Sequence, residues 1–320
     1  MPPYLSVIVP LYNEEESVAG LVDGIREAGK RFGFDYEIIL VDDGSTDGTW
    51  QIIEALKSRN ENLKGIKFRH NYGQTSAMVA GFEHASGEII VTMDGDLQND
   101  PRDIPLLLEK IDEGYDIVSG WRINRKDHLS RVLPSRIANY FISLTTGVRL
   151  HDYGCSLKAY RAVCIKSLKA YGEMHRFFPA LGSMTGARIT EVPVRHHPRR
   201  HGVSKYGFDR IFKVLSDIFA VNLIIRFSSS PLIGFILFAI PFLVLALCFG
   251  ALCVSAILGN WTSGKALFFM VSAVLSTMAA VHLVMLGFLA ELVVNASDLS
   301  HTQLSKISKR AIHVAGAEAK

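Results

Sequence analysis

Residues 91–101 read VTMDGDLQNDP, an apolar run that delivers two aspartates, Asp94 and Asp96, set one glycine apart. Like charges this close repel and raise each other's pKa, so a positive group belongs between them. The wider stretch EIIVTMDGD (88–96) has the length and β-rich character of a buried strand. Upstream, YEIILVDDGS (36–45) repeats the pattern and ends on Asp42 and Asp43. LSVIVPLY (5–12), LKGIKFRH (63–70) and YDIVSGWR (115–122) read as three further strands. Segments with apolar residues at helical spacing lie between them. The first runs from Asn13, an expected N-cap, through Glu14, Glu15 and Glu16, which the helix dipole favours, to Val18, Leu21, Val22 and Ile25. TDGTWQIIEALKSR, GQTSAMVAGFEHAS and DIPLLLEKIDEG supply the next three helices. Strand followed by helix, repeated in this way, predicts an α/β fold with a mostly parallel sheet and helices on both faces.

Ligands of such sheets bind beyond the carboxyl ends of the strands. Those ends carry Pro10, Tyr12, Asn13 and Glu14, then Asp42, Asp43, Gly44 and Ser45, then Asp94 and Asp96, then Arg122. A fold built for stability alone has no need to gather these polar groups at one edge.

The chain has 320 residues, 49% of them hydrophobic, and a net charge of +3. That global balance says little about partners, though local charge does; no nucleic-acid partner is expected. The apolar excess is concentrated: 231–259 and 266–290 contain no charged residue, and each exceeds the roughly 20 residues that cross a bilayer core. The joining NWTSGK loop makes them an antiparallel transmembrane hairpin. Arg195, Arg199, Arg200, Lys205, Arg210, Lys213 and Arg226 precede it, Lys306, Lys309, Arg310 and Lys320 follow it, and the loop holds only Lys265. By the positive-inside rule both termini are cytoplasmic. The expected organisation is a catalytic domain at 1–205, an amphipathic juxtamembrane helix at 206–229, two membrane helices at 230–294 and a polar tail at 295–320. The four cysteines show no metal or disulfide spacing, and the N-terminus reads as no signal peptide.

Neither GxGxxG nor GxxxxGK[ST] is present, so no glycine-rich helix start cradles a phosphate. A divalent cation bridging carboxylates to a diphosphate is the alternative. DxD alone is a weak signal; at the end of an apolar strand, beside a second acidic pair, it is a strong one. VIVPLYNEEES, VDDGSTDGT, NYGQTSAMVAGFEHASGE and VTMDGDLQNDP together resemble the successive motifs of the family 2 inverting glycosyltransferases. With RRHGVSKYG (199–207) and the hairpin, the resemblance narrows to the polyprenyl-phosphate glycosyltransferases, such as dolichol-phosphate mannose synthases and bactoprenol glucosyltransferases.

That resemblance implies a GT-A-like nucleotide-diphospho-sugar transferase fold, a UDP-sugar donor, an undecaprenyl or other polyprenyl phosphate acceptor, and Mg2+ or Mn2+. Pro10, Tyr12, Asn13, Glu14, Asp42, Asp43, Ser45, Asp94 and Gln98 would line the nucleotide-sugar pocket, with Asp94 and Asp96 at the metal. Arg122, Arg131, Ser135, Arg199, Arg200 and Lys205 would hold the acceptor phosphate, and Asp152 would face the sugar, as an orienting group or a base. The implied catalytic set is Asp152, Asp94 and Asp96. RIANYFISLTTGV (136–148) and GFDRIFKVLSDIFAVNLIIRF (207–227) are candidate interfacial helices. Glucose is the first expectation for the sugar; GDP-mannose, UDP-N-acetylglucosamine and an aminoarabinose donor stay open. A homo-oligomer is expected from the small residues of the hairpin. The rival reading of another class is a non-catalytic membrane scaffold or flippase partner that keeps the fold without chemistry.

Overall fold

The computed structural model describes residues 3–123, 143, 147–166, 168, 172, 174–183, 186–198, 231–259 and 261–296. The chain divides into two compact units, Met1–Asn222 and Leu223–Lys320.

In the first unit a seven-stranded sheet has the order β3-β2-β1-β4-β6-β5-β7. The strands are β1 (Leu5–Leu11), β2 (Tyr36–Asp42), β3 (Leu63–Lys67), β4 (Ile89–Thr92), β5 (Ile117–Trp121), β6 (Lys158–Arg161) and β7 (Ile189–Pro193). β1 runs parallel to β2 and β4, β2 to β3, and β5 to β7. The departure from a parallel sheet is β6, which lies antiparallel to both β4 and β5 and sets Lys158 opposite Thr92 and Ser119. The inner strands are apolar on both faces because helices cover them: Val7, Ile8 and Val9 of β1 and Ile38, Ile39 and Leu40 of β2 are all fully buried.

The helices are α1 (Val18–Phe32), α2 (Thr49–Lys57), α3 (Gln74–His84), α4 (Ile104–Asp112), and the short α5 (Ala162–Ile165) and α6 (Phe178–Ser183). Helix α1 buries Val18, Leu21, Val22, Ile25 and Ala28 on one face, as their spacing predicts. Its start differs from the sequence expectation. The N-cap is Ser17 rather than Asn13, and the first turn holds no acid. Asn13 has φ +52 and sits in a turn before the helix. Its side chain accepts from the Thr46 amide at 2.8 Å, so it ties two loops together instead of capping α1. Glu15 likewise serves α2, accepting from the Gly48 amide at 2.7 Å, where an acid favours that helix's N-terminus.

The second unit contains α7 (Pro231–Leu258) and α8 (Ser263–Ala296). Leu232 N donates to Glu291 Oε2 at 3.2 Å near one end, and Cys253 Sγ to Ala266 O at 3.6 Å near the other, so the pair is an antiparallel hairpin. Both helices are long and apolar enough to cross a membrane, with mean hydropathies of 2.9 and 2.1 over their most apolar windows, only 6% of each buried. A soluble core helix would hide that surface; here residues such as Leu247 and Leu258 are 74% and 79% exposed. Outward apolar helices of this length mark a membrane protein. The candidate interfacial segment at 207–227 lies outside the described residues, as does most of 136–148.

Candidate active site

The carboxyl ends of β1 and β2 are zipped together. Asn13 N donates to Ser45 Oγ at 2.9 Å, Glu14 N to Thr49 Oγ1 at 2.9 Å, and Ser45 N to Asp42 Oδ1 at 3.0 Å. Pro10, the penultimate residue of β1, lies opposite Val41. Tyr12 follows directly, partly buried. Asp42 is wholly buried, and its second oxygen, Oδ2, has no hydrogen-bond partner among the described residues. A buried carboxylate oxygen left open in this way is costly unless a donor arrives from outside the chain. Asp43 is different. Both its oxygens are engaged, by the Tyr72 amide at 2.7 Å and the Gly73 amide at 2.9 Å, which fixes the start of α3. Burial pushes the Asp43 carboxyl up, with help from Asp42, against those two bonds.

Gly44 turns the chain between these groups at φ +71, and a Cβ there would stand 2.4 Å from the His70 carbonyl carbon and 2.7 Å from the Asn71 nitrogen. Gly44→Ala therefore meets both a left-handed backbone and a backbone clash. We expect a loss of at least about 2 kcal/mol of stability, read as a shifted denaturation midpoint; an unshifted midpoint would refute the close approach.

Beyond β4, Asp94 is half-buried and Asp96 is 7% exposed. Gln74 Nε2, from the first turn of α3, donates to Asp94 Oδ1 at 2.7 Å. The Asp94 amide donates to Asn99 Oδ1 at 3.2 Å, and Ser156 Oγ donates to the same oxygen at 2.8 Å. Asp96 Oδ1 accepts from the Gln98 amide at 3.2 Å across Leu97, which has φ +61. Gly95 lets the Leu11 side chain close over the turn, since a Cβ there would lie 2.4 Å from Leu11 Cδ2. Burial, then the Asp96 charge, push the Asp94 carboxyl up; Ser156, Arg122 and Lys158 oppose the shift.

Arg122, just past the end of β5, pairs with Asp152. Arg122 Nε reaches Asp152 Oδ2 at 2.6 Å and Nη2 reaches Oδ1 at 2.9 Å, a two-pronged pair with both side chains nearly buried. Burial works against the Arg122 charge, but the Asp152 bonds and charge outweigh it and hold its pKa above the ordinary arginine value. Asp152 Oδ1 also accepts from the Gly154 amide at 3.1 Å. Held this way, the Asp152 carboxylate is fixed in orientation by Arg122 and the Gly154 amide. Its loop is fixed on one side by His151, which stacks on Trp121 at 4.4 Å and bonds Glu191. On the other side lies Lys158, 3% exposed, whose ammonium donates to the carbonyls of Tyr153 and Cys155. Burial pulls the Lys158 pKa down and pushes the Cys155 thiol up to about 11.

The structure thus brings Asp94 and Asp96 to one turn with Gln98, sets Asp94 within electrostatic reach of Arg122, and joins Arg122 to Asp152. Arg131, Ser135, Arg199, Arg200 and Lys205 lie outside the described residues. Sequence reasoning passed over Gln74, Asn99, Ser156 and Lys158. Gln74 and Asn99 stood in quoted motifs, but nothing local marked them as partners of Asp94. Lys158 carried no local mark of its burial.

A largely parallel sheet with one antiparallel insertion, carrying paired carboxylates at its carboxyl edge, is a fold of the GT-A type. A crystal structure of glucosyl-3-phosphoglycerate synthase from Mycobacterium tuberculosis, in complex with Mn2+, UDP and phosphoglyceric acid, superposes with a TM-score of 0.52 at 22% identity, over 70% of this chain and 78% of that one. Its complex with Mn2+, UDP and glucosyl-3-phosphoglycerate gives 0.51 at 21% identity, over 70% and 80%. The chain belongs to glycosyl transferase family 2, whose profile matches residues 6–169. It is 49% identical over 234 residues to the dodecaprenyl-phosphate galacturonate synthase of Rhizobium johnstonii, covering 71% of this chain and 69% of that protein. It is accordingly a glycosyltransferase.

Proposed function

We propose that this enzyme transfers a sugar from a UDP-sugar to a polyprenyl phosphate at the cytoplasmic face of a membrane, with inversion and with a divalent cation. The observation that carries the reading is the Asp94–Asp96 carboxylate pair beside the Arg122–Asp152 fork, in a chain 49% identical to a polyprenyl-phosphate sugar transferase. The two apolar helices supply the membrane, and the flanking arginines and lysines favour the cytoplasmic side.

Mg2+ or Mn2+ fits the donor set. Asp94, Asp96 and the Gln98 side-chain carbonyl would offer hard oxygen ligands, and the repulsion that helps raise Asp94 is what a cation relieves. Among the described residues no three acidic, histidine or cysteine side chains gather to hold a metal ion, so Asp94 and Asp96 would hold it together with oxygens of the bound diphosphate. When bound, the cation offsets charge on the departing nucleoside diphosphate.

The chain's own groups do the rest. Asp42 Oδ2 accepts from a base N–H or a ribose hydroxyl in the pocket lined by Pro10, Tyr12, Asn13 and Ser45. Arg122, oriented by Asp152, offers its guanidinium to the acceptor phosphate, with Arg131, Ser135, Arg199, Arg200 and Lys205 completing that anion site. A phosphate monoester has a second pKa of about 6 and is largely dianionic at neutral pH. It is already a nucleophile, so the site's task is to bring two anions together rather than to remove a proton. A single in-line displacement inverts the anomeric carbon.

The family resemblance favours glucose, whereas the Rhizobium johnstonii relative is named for galacturonate, a sugar with a carboxylate at C6. The test is therefore a paired assay. Purified protein in detergent, undecaprenyl phosphate, and radiolabelled UDP-glucose or UDP-galacturonate are incubated with and without EDTA. Organic-extractable label from one donor, lost with EDTA and restored by Mg2+ or Mn2+, is the expected result. No label from any nucleotide sugar would overturn the reading and favour the scaffold.

A further inference from the structure

The Asp96–Gln98 turn is held in place by a remote segment. Residues 194–198 run alongside it. Asn99 and His196 pair as an antiparallel bridge, His197 N donates to Gln98 O at 2.9 Å, and Gln98 Nε2 donates to His197 O at 3.3 Å. That segment is itself anchored by two buried acids, Asp100 and Asp103, 3% and 1% exposed. Asp103 takes three bonds from Arg195: from the backbone N at 2.7 Å, Nε at 2.8 Å and Nη2 at 2.6 Å. Asp100 faces Arg195 Nη1 at 3.5 Å, His197 Nε2 at 3.2 Å and the Arg102 fork at 2.8 to 3.2 Å. Burial alone would raise the Asp100 carboxyl; the Arg102 bonds, His197 and Arg195 together hold it well below the usual carboxylate range.

Leu97 supplies an independent sign that the turn is under constraint. A leucine at φ +61 is costly and persists only where its surroundings over-determine the backbone. The contacts of the 194–198 segment, just after Leu97, provide that hold.

We propose that Asp100, Asp103, Arg195 and His197 form a clamp that sets the position of the Asp96–Gln98 turn, which makes them positioning residues for the donor site. The proposal rests on the reading that this turn faces the donor diphosphate and its cation. None of the four is needed to touch substrate. Their effect travels through the backbone of Gln98 and Asn99.

The full-length protein in detergent provides the test, with Mn2+ titrated in the presence of saturating UDP and free Mn2+ followed by electron paramagnetic resonance. Arg195→Ala and Asp103→Asn are expected to raise the Mn2+ dissociation constant about tenfold or more, the scale of lost outer-shell support around a metal site. Arg195→Lys, which keeps the charge without the fork, should fall between them and the wild type. Lys64→Ala is the control, because Lys64 covers buried Glu37 as Arg195 covers Asp103, with side chains 47% and 6% exposed against 51% and 2%. It should lower the melting temperature without moving Mn2+ affinity. Unchanged Mn2+ affinity in Arg195→Ala and Asp103→Asn, or equal weakening in Lys64→Ala, would overturn the clamp. If Arg195→Ala does not fold, Arg195→Lys and Asp100→Asn give the same comparison. A wild-type protein that takes up no Mn2+ with UDP overturns the donor-site reading and the clamp together.

Discussion

Asp96→Ala is expected to lower kcat for lipid-linked transfer by about 10²- to 10³-fold, the scale on which a single preorganised electrostatic group acts, while leaving the fold intact. The two halves of this expectation have separate origins. Asp96 is 7% exposed and its charge is one of the forces that raise Asp94, so its removal relieves a repulsion. Against that, the variant loses the hydrogen bond from the Gln98 amide. The relieved repulsion and the lost bond act in opposite directions, so stability should change by about 1 kcal/mol, and the Asp94 pKa should fall. With Asp96 in its proposed role as an oxygen ligand, activity falls steeply. A melting temperature within a few degrees of wild type, beside a rate near background, is the signature. A variant that keeps half its activity would remove Asp96 from the reaction.

Arg122→Ala should be damaging in a different way. The Arg122–Asp152 pair is nearly buried, with side chains 12% and 7% exposed. Removing one member of such a pair costs about 3–5 kcal/mol, because the other charge stays in a poorly solvated place. For a domain of this size that is a drop of about 10 °C in melting temperature. Arg122→Lys separates structure from chemistry. A lysine keeps the positive charge but cannot make the planar two-pronged contact, so part of the stability returns while transfer stays low. Differential scanning fluorimetry and the lipid-extraction assay, run on both variants, check the two halves. Wild-type turnover in Arg122→Lys would show that only charge is needed there.

Much of the donor half was legible beforehand. Strands β1, β2, β4 and β5 announce themselves as apolar runs bounded by turns, because they are buried on both faces; β3, at the sheet edge with Lys64 and Lys67 exposed, is read from its apolar residues and flanking turns. Their carboxyl ends were readable for the same reason: acids at the end of a buried strand stand out. Strand β6 was not legible. Lys158–Arg161 is four residues, with a cation at each end, and has neither the length nor the composition of a central strand. It becomes one because Thr92 and Ser119 flank Lys158 in register, and because backbone carbonyls receive the ammonium. The start of α1 misled for a related reason. Asn13 has the chemistry of a cap, but its side chain finds a donor 33 residues away in Thr46. Asp103 and Arg195, 92 residues apart, carry no local sign of their pairing. Pairings that only tertiary structure can make leave no periodicity to read.

The antiparallel placement of β6 also dictates an order of events during synthesis. β1 to β4 are joined by short βα connections and can pair as they emerge. β4, however, keeps an open outer edge until Lys158–Arg161 has been made, and β5, though translated earlier, has nothing to bridge it to β4 until then. An unpaired central strand is a site for misassociation between chains. The same late segment brings Ser156 to Asn99, the residue that supports Asp94. The residues that support the carboxylate turn and those that close the sheet therefore come late in the first unit, yet all precede α7, the first of the two apolar helices, in the order of synthesis.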